Sequence, residues 1–456
     1  MRKVGFVLLG MLLLSGAPLV PAQSATDSVL VAESETLIAP IGNGDQFSGA
    51  VLVARNGVPV FRQAFGLANR EWEIPNTPDT KFRIGSITKQ FTATAILQLA
   101  EAGKLSVDDP LLKYYPGSPA AWNGITIRHL LTHTSGIPSF TSIPHFFDQQ
   151  ARLDRTPKEI IELTQDKALE FAPGSKYAYD NTGYVILGYI IEMVSGEKYA
   201  DYIQHHIFDP LAMKSSGYDV SETLIPKRAA GYSRGKDQFT NARFISMTEP
   251  YAAGSLYTTV DDILTWDQAL YAAKLLTPAS LQAMFTDYGH GYGFGWVIAN
   301  QFGHRHIVHA GAVNGFITRI DRYPEDKLTV VVFSNEDTAS PAVVRIADGL
   351  AAIYLGIPPR IAEGEMLLKR TIEALRSGAP SYDQMSPHMA DAVRARLAGL
   401  KETIGSLGNV KLVTLLRASR HGVDRYRVAF QNGATEWDIK AGDDGKLTVA
   451  DFNRMH

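Results

Sequence analysis

The chain has 456 residues, enough for one large domain and a smaller one. Hydrophobic residues make up 45% and charged residues 20%, as in soluble globular proteins with a large core. The formal net charge of −3 provides no basic surface, so we expect no nucleic-acid partner. The absence of cysteine excludes disulfides, a thiol nucleophile and a thiolate metal site.

The N-terminus has the pattern of a secretory signal peptide. Arg2 and Lys3 precede an apolar run over residues 4–14, and small residues typical of a cleavage site follow. We expect residues 1–22 to form the signal, with cleavage within about residues 22–25. The alternative, a membrane anchor, needs roughly 17 or more apolar residues. The mature protein is therefore expected to be periplasmic or secreted, with no membrane span after signal removal.

The predicted elements run from strands through helices and back to strands. They are a hairpin over residues 49–69 that turns at Asn56-Gly57, a helix from Ser86, a mostly helical and loop-rich stretch over residues 105–290, strands over residues 306–335, and a helix over residues 341–355. This order predicts an α+β fold in which the two ends of the chain form one antiparallel sheet. Helices would flank that sheet, and a helical lobe would lie beside it.

A break at Gly356–Pro359 predicts a domain boundary. The main domain would cover residues 23–357, and a small C-terminal α+β domain would cover residues 362–456. Within the smaller domain the patterns predict helices over residues 365–377 and 387–404, followed by strands. It has no visible catalytic constellation, and the sequence leaves its role open.

Ser86 and Lys89 form a Ser-x-x-Lys motif at the start of an apolar helix. The same spacing occurs at Ser195–Lys198 and at Ser233–Lys236, so the motif alone is weak. Ser86 could simply cap the helix, but a lysine in the first turn faces the positive end of the helix dipole. If Ser86 is instead a nucleophile, the lysine three residues later lies on the same face of the helix, where its amine can accept the proton of the serine hydroxyl.

Two further motifs follow in order, Tyr179-Asp180-Asn181 and His309-Ala310-Gly311. Together with Ser86-x-x-Lys89 they resemble the penicillin-recognising serine hydrolases. The resemblance is to the class C branch, with its β-lactamases, DD-peptidases, D-aminopeptidases and β-lactamase-like esterases. The stretches FRIGSITKQFTA, ITIRHLLTHTSGIP, PGSKYAYDNTGY, AAGSLYTTVDDILTW and HAGAVNGF also resemble landmarks of that family. The resemblance covers about residues 30–356 and implies a β-lactamase/transpeptidase-like fold.

By this resemblance Ser86 is the nucleophile and forms an acyl-enzyme. Lys89 and Tyr179 would share the proton transfers. Tyr179, with the pKa of its phenol lowered by lysine charge, would be the base for the attack and the acid for the leaving group. Asn181 would orient Lys89 and the substrate amide. From the residues alone, Tyr179 could instead be a core tyrosine and Asn181 a helix N-cap.

The third motif would line the substrate site. The backbone N–H groups of Ser86 and Ala312 would bind the oxyanion beside Gly311. His309 would polarise Tyr179 or bind an acidic substrate group, although it could be an ordinary strand histidine. We expect no metal and no organic cofactor, because no histidine pair has a third ligand at suggestive spacing.

The resemblance implies an exported serine hydrolase that acts on a small-molecule or peptide substrate, including peptidoglycan-derived peptides. Class C β-lactamases have Lys-Thr-Gly where this chain has His309-Ala310-Gly311, which favours ester or amide substrates, D-amino-acid peptides among them. The alternatives are a penicillin-binding DD-carboxypeptidase or weak β-lactamase, and a non-catalytic peptidoglycan- or partner-binding protein. The oligomeric state is unknown from sequence.

Overall fold

The computed structural model describes residues 25–42, 46–236, 238–417, 423–441 and 446–455. The predicted signal peptide, residues 1–22, lies outside the described residues. Within them, none of the helices combines the length and the hydrophobicity that crossing a membrane requires.

The helices of the described part are α1 Ala25–Gly42, α2 Thr88–Glu101, α3 Ile127–Leu131, α4 Pro157–Gln165, α5 Asn181–Ser195, α6 Tyr199–Ile203, α7 Asp209–Leu211, α8 Tyr251–Gly254, α9 Val260–Tyr271, α10 Pro278–Met284, α11 Ser340–Leu355, α12 Pro359–Ser377 and α13 Pro387–Leu407. The strands are β1 Gly49–Arg55, β2 Val58–Phe65, β3 Leu67–Asn69, β4 Ile74–Pro75, β5 Phe82–Arg83, β6 Gly217–Tyr218, β7 Tyr232–Arg234, β8 Phe239–Asn241, β9 Leu256–Thr258, β10 Val297–Gln301, β11 His304–Val313, β12 Phe316–Tyr323, β13 Leu328–Ser334, β14 Val410–Arg417, β15 Asp424–Phe430, β16 Gly433–Ala441 and β17 Leu447–Met455.

The main sheet has six antiparallel strands in the order β10-β11-β12-β13-β1-β2. The pairing of β1 with β13 joins the two ends of the domain, with Gly49 of β1 opposite Ser334 of β13. All seven residues of β13 are buried, because helices cover both faces of the sheet. The predicted antiparallel sheet is confirmed, including the hairpin turn at Asn56-Gly57.

The alternation of side chains along β1 divides the core into two layers. Val51 and Val53 face α1 and α11, where they pack in a cluster with Ile38 and Ile346. Residues of opposite parity, such as Leu52, join a larger cluster that includes α2, α5 and α9. The helices α3–α6 form the lobe beside the sheet, so the predicted α+β, β-lactamase/transpeptidase-like fold is confirmed.

The C-terminal residues form a second antiparallel sheet, in the order β14-β15-β16-β17, beside α12 and α13. This unit has its own hydrophobic cluster, which includes Trp437. It contacts the main sheet where Glu365 accepts a 3.1 Å hydrogen bond from the Phe302 amide and Lys369 donates to the Asn300 carbonyl at 3.3 Å. The two predicted helices are present, the first beginning at Pro359, earlier than the sequence pattern indicated.

Two glycines allow the turn that contains Ser86 to lie directly on β11. A Cβ atom at Gly311 would be only 1.9 Å from the Ile84 carbonyl oxygen, so no larger residue fits there. Gly85 has a φ of +51°, and a Cβ there would be 2.7 Å from the Ala312 nitrogen. The Thr318 hydroxyl donates to the same Ile84 carbonyl at 2.8 Å and fixes the contact.

We predict that Gly311→Ala destabilises the protein. The added methyl group must push the Ile84 backbone away from β11, which costs about 1–3 kcal/mol of unfolding free energy. Urea denaturation measures this cost. Gly117→Ala is the control, because a Cβ at Gly117 has no atom within 4 Å. Equal stability of the two variants would contradict the close contact.

Candidate active site

Ser86 lies in a 3-10 turn, Gly85–Ile87, immediately before α2. The N-cap of α2 is Ile87, and no side chain caps the helix. The interpretation of Ser86 as a simple cap is therefore wrong. The Ser86 hydroxyl instead accepts a hydrogen bond from the Lys89 ammonium group at 3.1 Å.

Lys89 is fully buried beside the serine. Its Nζ also donates to Asn181 Oδ1 at 2.8 Å and to the Ala253 carbonyl at 2.9 Å. Burial lowers the pKa of Lys89 to about 7, although the nearby Asp180 carboxylate works in the opposite direction. A large fraction of the amine is therefore neutral at physiological pH and able to accept a proton.

Asn181 begins α5, but the N-cap is Asp180, whose Oδ1 accepts from the Gly183 amide at 2.7 Å. The Asn181 side chain is thus free to hold Lys89, and its Nδ2 donates to the Thr141 hydroxyl at 3.0 Å. Burial raises the pKa of Asp180 to about 7, which leaves the Asp180 and Lys89 pair sharing protons near neutrality.

Tyr179 lies over the lysine, with Lys89 Nζ 4.9 Å from the ring centroid. The expected lowering of its phenol pKa is wrong. Although 39% of the Tyr179 surface is exposed, lost solvation of the hydroxyl raises the pKa, and a hydrogen bond with Ser86 offsets this only in part. Tyr179 is therefore a neutral phenol that can donate a proton.

His309 has both ring nitrogens engaged. Nδ1 lies 2.7 Å from the Ala310 carbonyl and Nε2 lies 2.8 Å from the Tyr292 hydroxyl. Nδ1 must therefore carry the proton, and Nε2 accepts from Tyr292. Burial lowers the pKa of His309 to about 3. The expectation that His309 binds an acidic group is wrong, because the imidazole ring is neutral. The ring centroids of His309 and Tyr179 are 6.4 Å apart, and the Nε2 atom of His309 is occupied by the Tyr292 hydroxyl.

A buried histidine holds the aromatic wall of the site together. His133, in the THTSG stretch, has its ring centroid 4.3 Å from Tyr179, 5.1 Å from Tyr184 and 4.7 Å from Tyr292. Its Nδ1 accepts from the Asp180 amide at 3.2 Å, which fixes the start of α5. These contacts give His133 a structural role.

The structure brings all the predicted site residues into one place. Ser86, Lys89, Tyr179 and Asn181 form one contact network, and β11 brings His309, Gly311 and Ala312 to it. Sequence reasoning missed Ala253 and Tyr292. Ala253 acts through its backbone carbonyl, which no side chain reveals, although the AAGSLYTT stretch that contains it is a family landmark. Tyr292 lies in an aromatic GYGFGW run, which is a signal that could have identified it.

In the part of the chain that the structure describes, no group of three or more His, Asp or Glu side chains could hold a metal ion. The polar groups that meet at the site are the hydroxyls of Ser86 and Tyr179, the Lys89 amine and backbone amides. The family model described as Beta-lactamase matches residues 35–353, which include every one of these groups. The chain belongs to the Beta-lactamase family. Like the other members of this family it is a serine hydrolase.

Three relatives illustrate the family. Penicillin-binding protein 4* of Bacillus subtilis is 30% identical over 72% of this chain and 77% of its own length. The octameric penicillin-binding protein homologue from Pyrococcus abyssi is 26% identical, with a TM-score of 0.66 over 93% of this chain and 96% of that one. The D-stereospecific amidohydrolase from Streptomyces sp. is 27% identical, with a TM-score of 0.58 over 72% of this chain and 98% of that one.

We predict that the cap of α5 depends on the side-chain oxygen of residue 180. Asp180→Asn keeps an acceptor for the Gly183 amide, whereas Asp180→Ala removes it. The alanine variant should be about 1 kcal/mol less stable than the asparagine variant by chemical denaturation. Both variants are uncharged, so the comparison isolates the cap; equal stabilities would contradict it.

Proposed function

We propose that this protein is an exported hydrolase that cleaves ester or amide substrates, D-amino-acid amides and peptides among them, through an acyl-enzyme on Ser86. One observation carries the proposal: the fully buried Lys89 amine lies 3.1 Å from the Ser86 hydroxyl. A lysine with a pKa of about 7 in that position is a competent general base.

In the proposed reaction, neutral Lys89 takes the proton of Ser86, and Oγ attacks the substrate carbonyl. The backbone N–H groups of Ser86 and Ala312 hold the oxyanion, a contribution of several kcal/mol in comparable sites. Tyr179, a neutral phenol, protonates the leaving alcohol or amine as the carbonyl–leaving-group bond breaks. Lys89 then returns its proton to Tyr179. Lys89 then takes a proton from water, whose oxygen bonds to the acyl carbonyl carbon, and returns that proton to Ser86 Oγ as the acyl–serine ester bond breaks.

The substrate proposal rests on the third motif. His309 is neutral and has both nitrogens occupied, and Ala312 supplies no hydroxyl. A terminal carboxylate on the substrate would find neither a cation nor a hydroxyl at these positions, which favours esters and amides without that group. The amidohydrolase relative supports an amide substrate. The penicillin-binding relatives support the alternative, a DD-carboxypeptidase or weak β-lactamase.

Export and domain division are part of the same proposal. The basic and apolar N-terminus and the penicillin-binding relatives support a periplasmic or secreted protein whose residues 1–22 are removed. The hydrolase domain would comprise residues 23–357. Residues 362–456, with their separate core, would form a second domain that modulates the first or binds a partner.

We predict that Ser86 is the residue that becomes acylated. The protein is incubated with a fluorophosphonate and with a labelled penicillin, and peptide mass spectrometry identifies the modified residue. Turnover of a p-nitrophenyl ester and of a D-amino-acid amide is measured in parallel. Ser86→Ala should abolish adducts and turnover, while Ser233→Ala, at another Ser-x-x-Lys match in the chain, should retain both. Penicillin adducts without ester or amide turnover would favour the DD-carboxypeptidase. No adduct and no turnover would favour the non-catalytic alternative.

We predict that kcat/KM falls as the pH drops below about 7, because Lys89 must be neutral to act as base and its pKa is about 7. The titratable groups that face it are Tyr179, Tyr184, Asp180, His133 and His309. Asp180 raises the lysine pKa, so Asp180→Asn should move this acidic limb to lower pH. Ester hydrolysis between pH 5 and 9 measures the limb. A profile that is flat across pH 7 would contradict the role of Lys89.

A further inference from the structure

A buried ion pair near the site has no role in the proposed chemistry. Glu249 is fully buried, and its carboxylate accepts a hydrogen bond from Arg155 Nη1. Its second oxygen, Oε2, has no hydrogen-bond partner within the described residues. Burial raises the pKa of Glu249 to about 6, with Asp154 acting in the same direction and Arg155 against it, so the carboxyl is ionised in neutral solution.

Glu249 belongs to the segment that leads into α8. The Ala253 amide donates to the Pro250 carbonyl at 2.8 Å, and the Ala253 carbonyl in turn accepts from Lys89 at 2.9 Å. Glu249 is therefore only four positions before Ala253, a direct acceptor of the lysine amine.

Arg155 belongs to the segment that holds the other acceptor. Residues 139–155 contain Ser139, whose hydroxyl accepts from the Asn181 amide at 3.1 Å, and Thr141, which accepts from the Asn181 side chain. Arg155 Nη1 also donates to the Gln150 carbonyl at 3.2 Å, which closes this segment on itself.

The ion pair is accompanied by other polar contacts between the two segments. The Ser246 amide donates to the Ala151 carbonyl at 2.9 Å, and the Arg155 amide donates to the Thr248 hydroxyl at 3.1 Å. The Ser246 hydroxyl donates to Asp154 at 2.5 Å. The segment bearing the Ala253 acceptor is thus tied to the segment that orients Asn181.

We propose that the Arg155–Glu249 ion pair positions Lys89 by setting the distance between its two acceptors, Ala253 O and Asn181 Oδ1. The inference rests on the proposed function, in which Lys89 is the base. A buried ion pair contributes little net stability, because desolvation offsets the attraction, and in some proteins buried charged groups serve instead to fix the conformation. Glu249 and Arg155 are positioning residues: neither touches the reacting atoms.

The test compares Glu249→Gln with Asp267→Asn. Asp267 and Arg322 form an equally buried ion pair on α9 and β12, and neither residue belongs to the site. Ester turnover is measured at pH 8.5, normalised to active sites titrated with fluorophosphonate, and the Lys89–Ala253 distance is measured in crystals of each variant. Both variants should lose thermal stability.

Glu249→Gln alone should lower kcat per active site by about tenfold, since a misplacement of about 1 Å costs up to 100-fold in rate. KM should change less than twofold, and the Lys89–Ala253 contact should lengthen beyond 3.5 Å. Unchanged kcat together with an unmoved contact, as expected for Asp267→Asn, overturns the proposal.

If Glu249→Gln does not fold, the neutral pair Arg155→Gln/Glu249→Gln replaces it under the same criteria. If the unmodified protein shows no adduct and no turnover, the proposed function fails, and the crystallographic distance alone decides the positioning role.

Discussion

The architecture of the site depends on the burial of one amine. Lys89 is removed from solvent, and an ammonium group in that position loses several kcal/mol of hydration unless the protein supplies acceptors. The acceptors come from three separate elements: the turn before α2, the start of α5 and the end of α8. Because these lie far apart in sequence, only the assembled domain can provide them. The incomplete compensation leaves the amine with a pKa near 7, the value that base catalysis at neutral pH requires.

The sheet supplies the other half of the site. β11 reaches the nucleophile turn because neither Gly85 nor Gly311 has a side chain, so the Ala312 amide lies beside the serine. The proposed oxyanion pocket and the amine are thus built from different layers. Packing of α2 between the sheet and the helical lobe brings these two parts of the site together. The same packing explains why the residues around Ser86 and Lys89 are so completely buried.

Much of this could be predicted from sequence, for definite reasons. Period-2 patterns and the Asn56-Gly57 turn identify the strands of the main sheet, and ordered motifs identify Ser86, Lys89, Tyr179 and Asn181. Three features could not be predicted. Asp180 rather than Asn181 caps α5, a choice between adjacent good caps that packing decides. Ala253 acts through its backbone. The shift of the Tyr179 pKa depends on how much water the assembled site excludes, which no local motif specifies.

The histidine at the third motif links mechanism to substrate. A lysine at position 309 would add a second cation near Tyr179 and Lys89, which would lower the pKa of both and favour a phenolate base. Neutral His309 removes that charge, so Tyr179 stays protonated and Lys89 remains the group with a pKa near neutrality. Acid and base are then assigned by environment, because the two pKa values are driven apart. The same substitution removes the cation that would attract a substrate carboxylate. A single neutral imidazole, held by Tyr292, therefore supports both the proposed lysine-based mechanism and the proposed substrates without a terminal carboxylate.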